Sequence, residues 1–368
     1  MKLKSQNVIF LIFQCVFVLM ITAPSMCGEF EKATPGKTIT FPRDHGKQKG
    51  FETEWWYFTG NLISKNRHWG TQLTFFRRGL MRKSTQNTSA WEVSDLYPAH
   101  FAITNITDNK FFHTELISRE GPGLSGAATE HLNVHVKNWS ASQEGEKILV
   151  KARDRQYAIA LTLTPEKPAV LHGNKGFSVK GSDKDQASYY YSFTRLKADG
   201  TILFDGREHR VSGLMWMDHE FGSSILKPDQ AGWDWFSIQL DNKTELMAFH
   251  LRGKDGSSDK PFATFVDSSG NSTHLSGESV IIKAVNFWVS PHTKASYPLE
   301  WVIEVPEKQL KIRIIPAIKD QELTTEKTAG TTYWEGAVTV SGISENQPVL
   351  GSGYVELTGY ASSMGGKL

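Results

Sequence analysis

Between Trp216 and Gly222 the chain reads WMDHEFG, with an aspartate, a histidine and a glutamate side by side among large apolar residues. Asp218, His219 and Glu220 are of the types that serve as general acid, general base or metal ligand. In an extended strand, alternate side chains point to opposite faces. Trp216, Asp218 and Glu220 therefore share one face, and Met217, His219 and Phe221 share the other. Two carboxylates on one strand face stand roughly 7 Å apart, and in apolar surroundings desolvation and mutual repulsion raise the pKa of one of them. A carboxyl group that stays protonated at neutral pH can act as a general acid, and Trp216 beside it offers a ring face to a positive centre. The same acidic pair equally suits a structural network with Arg77, Arg78 or Arg252.

A second constellation is FPRDHGKQKGFETEWWYFTG, residues 41–60. Here Glu54, Trp56 and Phe58 share one strand face and Trp55 and Tyr57 the other, so one face is expected to fill a barrel and the other to pack against a partner domain. Asp44 and His45 form a second acid–imidazole pair, or Asp44 fixes the loop after Pro42. His45, His219 and His250 are candidates to converge with Asp218 on a metal ion. The chain has no His-Glu-x-x-His and no cysteine pair for zinc, and most lone strand histidines are satisfied by hydrogen bonds, so no metal and no cofactor are expected. There is no Gly-x-Ser-x-Gly elbow. The glycine-rich stretch 121–126 lacks the strand–loop–helix context of a phosphate cradle.

The elements that must position these residues read as strands. Short aromatic and β-branched segments, separated by Gly, Asn, Asp and Ser, recur at 55–63, 69–76, 133–139, 147–152, 157–164, 189–193, 233–240, 245–251, 280–289, 311–315, 333–340 and 353–357. Turn signals stand at 197–200 and 241–243. So many short strands imply an all-β protein of antiparallel barrels or sandwiches, and 368 residues imply two domains. EWWYFTGNL followed by WGTQLTFFRR is echoed by WDWFSIQL followed by ELMAFHLR, which supports a split between about Phe204 and Gly213, giving domains 41–208 and 209–362.

The 41 basic and 39 acidic residues are spread without a run of one sign, which argues against a nucleic-acid partner. Lys2 and Lys4 precede an apolar run from Val8 to about Ala23, the pattern of a secretory signal peptide spanning 1–28, so an extracellular or periplasmic protein with no integral membrane segment after processing is expected. Cys15 and Cys27 lie in or at the end of that run. The exported domain then has no internal disulfide, and Cys27 is a candidate, though a poor one, for lipid attachment. Asn-x-Ser/Thr sequons stand at Asn87, Asn105, Asn138, Asn242 and Asn271.

The segments FPRDHG, ETEWWYFTGNL, GLMWMDHEFGSS, GWDWFSIQLDNKTELMAFHLR, YWEGAVTVSG and GSGYVELTGY, in this order from Phe41 to Tyr360, resemble the signature segments of the AttH/CrtC family, which includes carotenoid 1,2-hydratase. The resemblance implies a tandem pair of lipocalin-like antiparallel β-barrels and a cavity for a hydrophobic unsaturated ligand. It matches Asp218 to the motif aspartate, and Trp216, Trp233, Asp234 and Trp235 to its surroundings. On this basis the expected chemistry is hydration of a prenyl-type carbon–carbon double bond. Asp218 is the acid, Trp216, Trp233 or Trp235 shields the cation, and Glu220 or Asp234 orients the water. Glu54, Trp56, Tyr57 and His219 are further candidates to line the substrate site. The alternatives are a non-catalytic carrier of a hydrophobic ligand, working with a membrane-associated transporter if the host is bacterial, and a pericyclase or hydrolase on the same scaffold.

Overall fold

The computed structural model describes residues 30–80, 93–181, 186–223 and 226–365. The segment carrying the signal-peptide expectation and the sequon at Asn87 lie outside the described residues.

Alternating segments become strands where one face finds a core. In Lys147–Arg153 the side chains of Ile148, Val150 and Ala152 are buried, while Lys147, Lys151 and Arg153 are exposed. In Tyr157–Pro165, Tyr157, Ile159, Leu161 and Leu163 turn into the same core. The result is all-β: two large antiparallel sheets, each curled around its own apolar core.

The first sheet opens with a meander of Thr53–Ser64, Arg67–Gly79, Asp95–Asn105 and Lys110–Arg119. Its last strand, Arg207–Gly222, returns to pair with Thr53–Ser64, and beyond it lie Ala187–Phe204 and Tyr157–Pro165. The second sheet repeats this plan. Gln230–Leu240, Glu245–Gly253, Phe262–Val266 and Ser272–Ser276 form the meander, and the last strand, Gln347–Leu357, pairs with Gln230–Leu240 and leads on to Thr331–Ser344. The two echoing sequence segments are thus the opening hairpins of the two sheets. Each hairpin ends in an arginine held inside its own sheet, Arg77 on Glu54 and Arg252 on Asp234.

Two expectations are corrected. Arg207–Gly222 completes the first sheet, so the chain crosses between the sheets after Gly222 and before Gln230, not at 208/209. Residues 197–200 form no turn. Lys197 pairs with both Thr164 and Leu214 in mid-sheet, and the reversal comes at Asp205 and Gly206, both with positive φ. The glycine that suggested a turn serves another need, because a Cβ on Gly200 would stand 2.1 Å from the Ala160 carbonyl oxygen.

The strands at the centre of each sheet are buried on both faces, which explains their unbroken aromatic content. Trp56, Phe58, Met215 and Met217 enter the N-terminal core. Tyr57, Tyr190 and Trp216 face the other way and pack with Trp235, Met247 and Tyr354 of the second sheet. Among the described residues no helix is long and apolar enough to cross a membrane.

Candidate active site between the two sheets

Strand register decides which side chains meet. Asp218 stands opposite Tyr57 on one neighbouring strand and opposite Ser192 on the other, while Glu220 stands opposite Trp55 and Tyr190. Cross-strand partners point to the same side of a sheet. All of these, with Trp216, therefore face the second sheet, which answers with Trp233, Trp235, Glu356 and Glu335. Glu356 is the direct partner of Trp235 on one side and of Glu335 on the other.

Asp218 is 3% exposed. Its Oδ1 accepts from Trp216 Nε1 at 2.6 Å and from the Ser192 hydroxyl, and its Oδ2 accepts from the Tyr190 hydroxyl at 3.0 Å. Tyr190 in turn accepts from Trp235 Nε1 of the second sheet at 3.1 Å. All three donors are neutral, and no cation is paired with the carboxyl group among the described residues. Burial outweighs the donors and pushes the Asp218 pKa up to about 7. Ser192 Oγ also meets His172 Nε2 at 2.6 Å, and His172 Nδ1 meets Thr264 Oγ1 of the second sheet at 2.9 Å. Burial holds His172 well below the usual imidazole range, so the ring is neutral and donates through one nitrogen only.

The other proposed carboxylates are placed differently. Glu220 is on the Asp218 face but pairs with Lys180 at 2.8 Å and accepts from Ser188 at 2.5 Å. The Lys180 ammonium also lies 4.4 Å from the Tyr190 ring centre. Asp234 does not join Asp218. Strand alternation turns it away from Trp233 and Trp235 to the far side of the second sheet, where Arg252 binds it at 2.9 Å and the Tyr360 hydroxyl at 3.0 Å.

Glu54, Trp56 and His219 also lie on the far face, inside the N-terminal sheet, and not beside Tyr57 and Asp218. Glu54 is bound by Arg77 Nε at 2.7 Å and by His219 Nε2 at 2.9 Å, and Trp56 stacks on His219 with ring centres 4.9 Å apart. The candidate histidines do not converge on Asp218. His45 and His219 meet at the Tyr191 hydroxyl, at 2.6 and 3.1 Å, while His250 lies 3.9 Å from Asp234. No cluster of three His, Cys, Asp or Glu side chains fit to hold a metal occurs among the described residues.

Sequence reasoning missed Tyr190, Ser192, His172, Glu335 and Glu356. The two glutamates stood within YWEGAVTVSG and GSGYVELTGY, as the only acidic residues in those segments. Nothing local marked His172 or Ser192, which reach Asp218 only through strand pairing and the contact between sheets.

Two curled sheets of matching strand order, with a desolvated carboxyl group held among aromatic rings where they meet, define a tandem β-barrel protein with an interdomain site. The AttH-like family model matches residues 32–360, and the chain belongs to that family. It is 35% identical to a solved structure described as an AttH from Nitrosomonas europaea, which covers 90% of this chain and 100% of that one with a TM-score of 0.80. The kievitone hydratase of Nectria haematococca shares the fold, with a TM-score of 0.68 at 17% identity over 91% of this chain and 97% of that one. A curated relative, dehydratase asqC of Emericella nidulans, is 24% identical over 196 residues, 51% of this chain and 54% of the relative, so the match spans about half of each.

Proposed function

We propose that this protein is a hydro-lyase that adds water to, or removes it from, a hydrophobic unsaturated compound of the prenylated or isoprenoid type, with Asp218 as the acid. The observation that carries this reading is the state of Asp218: a carboxyl group buried among Trp216, Trp235, Tyr190 and Tyr57, held by neutral donors, with its pKa near 7. A group so tuned is protonated in about half of the molecules at neutral pH and is acidic enough to give that proton up. The sequence likeness to a dehydratase and the fold shared with a hydratase support the same class of chemistry.

Oδ1 of Asp218 has two donors and Oδ2 only one, so Oδ2 is the oxygen that carries the transferable proton. It passes to the less substituted alkene carbon. The π pair forms the new C–H bond, and a tertiary cation remains at the other carbon. The ring faces of Trp216, Trp235 and the half-buried Trp233 attract that cation, and water closes on it. The apolar N-terminal run supports an exported enzyme.

Incubation of the purified protein with a panel of prenylated phenols and polyenes in ¹⁸O-water tests the reading. A product carrying one ¹⁸O is expected. Unmodified ligand that copurifies stably and takes up no label would replace the enzyme with a carrier.

A further inference from the structure

The second sheet carries a carboxyl pair with no place yet in this chemistry. Glu335 and Glu356 are direct cross-strand partners on the face turned toward the first sheet. By the matching strand order, Glu356 on the last strand of the second sheet occupies the place that Asp218 occupies in the first. Asp218 stands opposite Tyr57 of the opening hairpin, and Glu356 stands opposite Trp235 of its counterpart. Each glutamate is tied at one oxygen by a neutral donor: Tyr57 Oη to Glu335 Oε1 at 2.5 Å, and Trp233 Nε1 to Glu356 Oε2 at 3.0 Å. The remaining oxygens, Glu335 Oε2 and Glu356 Oε1, have no protein donor, and no lysine or arginine pairs with either residue among the described residues. Glu220 and Asp234 contrast with them, since each is committed to a cation.

We propose that Glu335 and Glu356 share one proton and together act as the group that holds the attacking water and takes its proton, across the interface from Asp218. The proposal rests on the hydro-lyase reading above. Two adjacent carboxyl groups that cannot both ionise provide a carboxylate to accept a proton and a carboxylic acid to hold the water oxygen, the division of labour that neither gives alone. As water attacks the cation its oxygen forms the C–O bond, and one of its protons passes to the Glu356 carboxylate. The site then holds Asp218 as the anion and the pair fully protonated, and solvent resets both. The electrostatics agree. Burial raises both glutamates, Glu356 to about 7, and the charge on Glu356 holds the proton on Glu335 more firmly still.

Two measurements test this. In protein labelled with ¹³C at the glutamate carboxyls, Glu335 is expected to be a carboxylic acid at pH 7, and Glu356→Gln should lower its pKa because the neighbouring charge is gone. Ionised Glu335 at pH 7 in the wild type overturns the pairing whatever the activity. With a dimethylallyl-substituted phenol in D₂¹⁸O, Asp218→Asn should take up neither isotope. Glu356→Gln should still exchange deuterium into the alkene, because the cation forms and collapses, yet lose ¹⁸O uptake by at least 100-fold. Wild-type ¹⁸O uptake by Glu356→Gln overturns the role of the pair and leaves the Asp218 assignment standing. ¹⁸O uptake by Asp218→Asn removes Asp218 as the acid, and absence of ¹⁸O from the wild-type product sinks the hydro-lyase reading itself.

Discussion

Gln239 of the second sheet donates its side-chain amide to the Thr194 carbonyl of the first at 2.7 Å. Thr194 sits where the pairing of Ala187–Phe204 with Arg207–Gly222 slips between Phe193 and Leu196, and such a bulge leaves a backbone carbonyl outside the ladder. The same amide reaches the Met215 carbonyl at 3.0 Å, three residues before Asp218. A single buried side chain thus satisfies two carbonyls and locks the strand that carries the acid. Gln239→Met keeps the volume and removes the donor to both carbonyls, so a loss of about 2–6 kcal/mol is expected, at 1–3 kcal/mol for each buried acceptor left unpaired. Urea denaturation measures it. A loss below about 0.5 kcal/mol would show that the two sheets do not depend on this contact.

Asp218→Asn should abolish turnover while the far-UV circular dichroism of a folded all-β protein is kept. The substitution preserves shape and removes the transferable proton. A folded Asn variant with full activity would remove Asp218 from the chemistry.

The same substitution gives a stability signature. The folded pKa of Asp218, about 7, exceeds its ordinary value of 3.8. The folded state therefore holds the proton more tightly than the unfolded chain, and the stability contribution present below pH 4 is lost as pH rises toward and through 7. Asp218→Asn should gain on the wild type between pH 4 and 8 by up to about 4 kcal/mol, at 1.36 kcal/mol per pH unit. Chemical denaturation of both proteins across that range checks the trend, and parallel curves would place Asp218 in an ordinary ionised state.

Ser192 favours the ionised form of Asp218 through its hydroxyl. Ser192→Ala should therefore raise the Asp218 pKa and carry the alkaline limb of the pH–rate profile upward. His172→Phe, which leaves Ser192 in place, should move that limb less. ¹³C titration of labelled aspartate separates this effect from lost packing, because a merely structural Ser192 would change stability without moving the titration.

On the far face, Arg77 and Glu54 are 1% and 0% exposed at their side chains, and Asp95 completes the ion pair at 2.7 Å. Arg77→Met leaves the buried Glu54 without a lysine or arginine partner and Asp95 with Lys47 alone, at 3.1 Å, a change that costs about 3–5 kcal/mol. If Glu54, Trp56 and His219 serve the fold, the fraction that folds should keep its KM. A large rise in KM at unchanged stability would return them to the substrate site.

The sequence alone determined the local features. Alternation of apolar and polar residues is a property of consecutive positions, so the all-β class, the opening hairpins and the parting of His219 from Asp218 were legible in the order of residues. The family segments supplied the tandem arrangement and pointed to Asp218. Register and docking belong to the tertiary structure. Glu220 and Asp234 both read as candidates to orient water, Glu220 also as a partner of an arginine, and folding pairs Glu220 with Lys180 and Asp234 with Arg252. Lys197–Gly200 read as a turn because its residue types suit one, yet partners on both sides hold it extended. His172 lies 46 positions before Asp218 in the chain and Glu356 lies 138 after it. Only antiparallel pairing and the contact of two sheets place them around one desolvated carboxyl group. Desolvation sets the protonation of that group, and it depends on everything packed around the carboxyl, which no short stretch of sequence encodes.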